Sequence, residues 1–127
     1  MTADSDALVL SLVSYLTRSE LPVTPHLAER ILEGWKKSPD RSSTAKTLHI
    51  VALSNDASLY NSAVEAALQF WREGRLGDVS PIELSALIDG EYWILSSQVR
   101  SSGAGFLLKR TLANARRELK AQTHVNQ

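Results

Sequence analysis

A chain of 127 residues, 43 % apolar and 22 % charged, is long enough to bury one core without staples and ordinary in composition for a globular domain. It has no cysteine, which excludes disulfides, thiolate metal sites and cysteine nucleophiles, and its longest apolar runs fall far short of the roughly 20 residues of a membrane span. The 14 cations balance the 14 acids, but unevenly, with a net of −2 up to Val79 and +2 from Ser80 onward.

The opening MTADSDALVL carries acids where a signal or transit peptide carries bases, so no targeting segment is expected. With the missing cysteines, this gives a cytoplasmic expectation. Asp4 and Ser5 can cap a first helix from Ser5 to Arg18. Its stripe Leu8, Leu12 and Tyr15 lies beside Val9, Val13 and Leu16, a wide apolar face of the kind that packs into a core. Leu21-Pro22 ends it.

Thr24-Pro25 starts the next helix, a capping side chain followed by proline at the first helical position. Leu27, Ala28, Ile31, Leu32 and Trp35 form its inward face, and Lys36 to Asp40 closes it. Gly34 inside it costs about 1 kcal/mol relative to alanine and implies a close contact or a bend. A helix over Ser43 to Ser54 follows, with Asp40 or Ser42 as cap. Its run His49 to Leu53 imitates a strand, but no partner strand exists elsewhere to satisfy that backbone. After the Asn55-Asp56 turn, a helix from Ala57 to Glu73 stops at Gly74.

The organising stretch is Ser80 to Gln122, which reads as two long amphipathic helices joined at Ser101 to Gly105. Ser80, Pro81 and Glu83 have the spacing of a capping box. Leu84, Ile88, Tyr92, Leu95 and Val99 make one stripe; Leu108, Leu112, Ala115 and Leu119 make the second. Gly90 would kink the first helix or admit another backbone. The fold expected is all-α: a single domain over residues 1–122, about five to seven helices in a bundle with a long C-terminal hairpin, and a flexible tail at 123–127.

Chemical motifs are absent. His26, His49 and His124 lack the i, i+3 or i, i+4 partners of a metal-binding helix. There is no G-x-S-x-G elbow and no S-x-x-K context. Gly103-Ala104-Gly105 precedes a helix with Lys109 and Arg110, which suits an anion, but Leu108 stands where a third glycine belongs. The plainer reading is an interhelical turn whose glycines supply unusual φ values. No catalytic, cofactor-binding or metal-binding residue is predicted, and no enzyme and no cofactor.

Two surfaces stand out. Adjacent Tyr92 and Trp93 point about 100° apart on a helix, so at least one is expected at an edge, against the last helix or a second subunit. With Leu108, Leu112 and Leu119 they form the predicted protein interface. Lys109, Arg110, Arg116, Arg117 and Lys120 make a basic ridge that Glu118 does not neutralise, with Arg100 near one end. Such cations also suit a solvated helix face near a C-terminus. The function expected is a non-enzymatic helical protein–protein interaction module, an adaptor, assembly or regulatory factor, self-associating as a homodimer through the last two helices. The alternative is a nucleic-acid binder using the basic ridge. No membrane partner is expected.

Overall fold

The computed structural model describes residues 22–125, and among them every regular element is a helix. These are α1 (Pro25–Lys37), α2 (Arg41–Leu53), α3 (Ala57–Arg72), α4 (Pro81–Tyr92), α5 (Ser97–Arg100) and α6 (Gly103–Val125). The helix expected over Ser5 to Arg18 lies outside the described residues. The last helix continues to Val125, past the stop expected at Gln122.

Local chemistry sets most of the boundaries. Thr24 Oγ1 accepts from the Leu27 amide at 3.2 Å, with Pro25 at the first helical position. Asp40 caps α2 through a reciprocal capping box with Ser43, so this helix begins at Arg41. Asp56 accepts from the Leu59 amide at 3.0 Å. At the end of α3, Gly74 takes a φ of 72°, the Arg75 amide donates to the Phe70 carbonyl, and the Gly74 amide to Trp71. This closes the helix as a Schellman motif. Ser80 accepts from the Glu83 amide, but the Glu83 carboxylate does not complete the expected box. It receives the Arg41 guanidinium at 2.7 Å instead, tying α2 to α4.

The main departure from expectation is at the end of α4. The first long helix stops at Tyr92 rather than running to Arg100. The amides of Trp93, Ile94 and Leu95 reach back only three residues, tightening the chain into a turn. Ser96 then caps α5 through the Val99 amide at 3.2 Å. Its own amide donates at 2.8 Å to Asn55 Oδ1 in the α2–α3 turn, where Asn55 holds a φ of 58°. The turn keeps Leu95 buried beside Leu84, Ile88 and Tyr92, while Val99 is half-buried. The apolar stripe thus stays on the core although the helix carrying it is broken.

At the start of the last helix, Gly105 acts through space rather than φ, while Gly103 has open space around it. Gly105 lies in the first turn of α6, where a Cβ would overlap the backbone carbonyls of Val99 and Arg100. Only glycine allows α5 to sit this close. Gly90 has open space around it, so no close backbone contact explains it.

The core runs through α1 to α4 and α6. Trp35 packs edge-on against Phe70 at 5.1 Å and donates to Thr44 at 3.0 Å, which satisfies its buried indole. Tyr60 donates to the Ile88 carbonyl at 2.7 Å, linking α3 to α4. Burial, assisted by Glu91 and Asp89, pushes its phenol well above the ordinary value and holds it as a donor. On α6, Leu108, Leu112, Ala115 and Leu119 are fully buried against α3 and α4.

Candidate functional site

Ion pairs flank the α6 seam. Arg72 of α3 holds Glu118 through two hydrogen bonds of 2.7 Å. The guanidinium draws the Glu118 carboxyl below its ordinary range, and the carboxylate raises Arg72 in turn. Arg116 holds Asp89 of α4 at 3.0 and 3.1 Å. The basic ridge is therefore not free of neutralisation: Arg116 is paired. Arg117 bonds to Asn114, and Arg110 and Lys120 are exposed. The interface residues divide as well. Leu108, Leu112, Leu119 and Tyr92 are buried within the chain itself, and only Trp93 of the five faces outward. As a surface for a second subunit, the leucines are unavailable in the folded chain.

Of the large apolar side chains exposed among the described residues, all but Ile82 lie instead towards one end of the molecule. There α4 ends, α6 begins, and the Ser96–Asn55 bond holds the α2–α3 turn alongside. On either side of α5 in the chain stand Trp93 at 67 % exposure, Phe106 at 60 %, Leu107 at 56 % and Ile94 at 38 %, with Leu53 exposed at the last residue of α2. Large apolar side chains left together in water in a small domain are characteristic of recognition surfaces.

Arg100 is the centre of this end. Its guanidinium lies 4.5 Å from the Trp93 ring centroid and 5.9 Å from that of Tyr92. The two rings meet edge-on at 5.3 Å. Lys109 similarly covers Phe106 at 5.0 Å. Arg41, Arg72, Arg75 and Arg116 each meet a carboxylate, whereas among the described residues none pairs with Arg100. Its Nε–H is buried without a partner. No Asp or Glu occurs between Glu91 and Glu118, while Arg100, Lys109, Arg110, Arg116 and Arg117 all fall there, and among the described residues only Arg116 of these forms an ion pair, with Asp89 on another helix.

Sequence reasoning named Trp93 and Arg100 but missed Ile94, Phe106 and Leu107. A signal was present: Phe106 lies about 160° around the helix from Leu108, away from the buried stripe. The Gly103–Gly105 segment forms the first turn of α6 and packs on α5 through Gly105. Among the described residues no group of three His, Cys, Asp or Glu is placed to hold a metal ion, and no helix is long and apolar enough to cross a membrane.

Three other clefts each carry an ion pair among their lining residues, that between α2 and α4, about 680 Å³, holding Arg41 and Glu83. The cleft between α3 and α6, about 660 Å³, is walled by the paired Arg72 and Glu118. The groove between α4 and α6, about 440 Å³, is bordered by Ile82, Ala86 and Leu119 and crossed by the Arg116–Asp89 pair. No family model, curated protein or solved structure matches this chain.

Proposed function

We propose that the chain is a non-enzymatic helical bundle serving as a protein–protein interaction module, with its docking surface at the Trp93 end rather than along the α6 leucines. One observation carries the reading: Trp93 and Ile94 just before α5, and Phe106 and Leu107 just after it, are exposed, and Arg100 of α5 is already stacked on Trp93. Tryptophan, tyrosine and arginine are the residues that most often dominate binding energy at protein interfaces. Rings held edge-on and a guanidinium held on a ring lose little side-chain freedom on binding. Self-association through the same end is one form of the reading.

The test places a photo-crosslinking phenylalanine analogue at Leu107 in cells, with a second at exposed Gln98 as neighbour and a third at exposed Ser58 on α3 as control. Discrete adducts from 107 and 98, lost with Trp93→Ser and absent from 58, are the expected result. An adduct of twice the chain's mass, matched by light scattering of the purified protein, identifies the homodimer. Equal adducts from all three positions, or none from 107, would remove the reading.

The cations that α6 leaves unpaired give a second reading, nucleic-acid binding. Against it, Arg100 and Lys109 already cover the Trp93 and Phe106 rings, and exposed Ile94 and Leu107 have no faces on which a base can stack. Anisotropy of labelled single-stranded and duplex DNA and RNA at low salt tests it. Binding that Arg110→Gln with Arg117→Gln abolishes would favour it over the first.

A further inference from the structure

The chemistry of the partner follows from what the Trp93 end lacks, and this step rests on reading that end as a docking surface. We infer that it receives an acidic, apolar segment of a partner protein, with Arg100 taking a carboxylate and Ile94, Phe106 and Leu107 taking the apolar side chains.

Charge complementarity selects this occupant. The stretch from Tyr92 to Arg117 carries five cations and no carboxylate, and among the described residues only Arg116 of the five forms an ion pair, with Asp89 on α4, while Arg41 and Arg72 elsewhere pair with acids across helices. Among the described residues Arg100 is stacked on an indole and forms no ion pair, and because its Nε–H is already buried, an incoming carboxylate would bond its two Nη groups. A guanidinium fixed by stacking keeps its planar fork oriented, and a carboxylate matches that fork with two parallel hydrogen bonds. Lys109 and Arg110 stand within about two turns of α6 and add attraction at the rim, which speeds encounter more than it adds affinity. A second copy of the chain is a poorer occupant, because an isologous contact would set these cations against their own counterparts. An anionic membrane surface would attract the same cations but has no use for a preoriented bidentate fork.

The experiment follows the ¹⁵N indole signals of Trp35, Trp71 and Trp93 and the arginine Nε–H signals of the full chain. The titrant is a synthetic amphipathic helix of about 12 residues, with Glu on one face and Leu and Phe on the other. Controls are the same peptide with Lys for Glu, the acidic peptide with Ser for Leu and Phe, a poly-dT oligonucleotide and phosphatidylserine vesicles. Trp93→Phe and Arg100→Lys assign the two signals of interest.

The acidic amphipathic peptide is expected to shift the Trp93 indole and the Arg100 Nε–H while leaving Trp35, which is bonded to Thr44 in the core, unmoved. Arg100→Lys, which keeps the charge and loses the fork, should weaken binding about tenfold, and Arg110→Gln about twofold. The lysine and serine peptides should not bind. Equal binding of the lysine peptide would overturn the acidic assignment while leaving the docking surface intact. Silence of every peptide alongside specific Leu107 crosslinks in cells would do the same. Silence of both would remove the docking surface as well. Stronger shifts of Trp93 with the oligonucleotide or the vesicles would overturn the choice of a protein partner. If Arg100→Lys fails to fold by circular dichroism, the peptide series and Arg110→Gln carry the decision.

Discussion

Helix α6 crosses two environments that treat the same side chains in opposite ways. From Leu108 to Leu119 its leucines are buried against α3 and α4, and Arg116 and Glu118 meet partners on those two helices. In its first turns, Phe106 and Leu107 stand in water, and the cations nearby meet aromatic rings or nothing. Composition does not separate the two stretches; the neighbouring elements do. In the seam, two full-length helices supply apolar surface and carboxylates. At the end, the neighbour is the four-residue α5, too short to cover an aromatic side chain and without an acid of its own. The seam therefore holds the fold together, and the end leaves large apolar side chains exposed.

Substitutions can break or sharpen this contrast. The largest effect is expected in the seam: Leu112→Ala should cost about 2–5 kcal/mol by chemical denaturation, as for a core leucine whose cavity does not collapse. A loss below about 1 kcal/mol would show that the seam is looser than its burial implies. At the junction of the two environments, Gly105→Ala should cost about 1–3 kcal/mol, because α5 must retreat from the new Cβ. If Gly105→Ala is as stable as wild type, the close approach of α5 is wrong.

A smaller, pH-dependent effect belongs to the flank of the seam. Arg72 lowers the Glu118 carboxyl in the folded state, so the pair contributes stability above the unfolded carboxyl's pKa and loses it as pH falls through the folded one. Both side chains are a third or more exposed, which limits the contribution to about 1 kcal/mol or less. Glu118→Gln should therefore lower the melting temperature at neutral pH, and the gap should close in acid. A gap that widens in acid would reverse the assignment. The smallest effect is expected at the end: Phe106→Ser should change stability by no more than about 0.5 kcal/mol, measured by the same denaturation. A loss approaching that of Leu112→Ala would make Phe106 a core residue and dissolve the contrast.

What the sequence by itself determined is what short-range physics controls. Thr24, Asp40, Asp56 and Ser80 cap helices because their oxygens reach amides three residues on, and Gly74 ends α3 because it takes a positive φ. The 3.6-residue period of Leu108, Leu112, Ala115 and Leu119 likewise marked a buried face before any neighbour was known. The tertiary structure decided the rest. The spacing of the stripe from Leu84 to Val99 gives no sign of a break after Tyr92, and Gly90, the residue that suggested a kink, lies inside α4. The break instead accompanies the Ser96 amide's bond to Asn55, 41 residues earlier in the chain. The charges of Arg116 and Glu118 looked unpaired along one helix because their partners, Asp89 and Arg72, lie on others. Which apolar side chains remain uncovered follows from where α5 ends and how closely Gly105 lets it approach, and a contact between segments distant in sequence has no local periodicity to announce it.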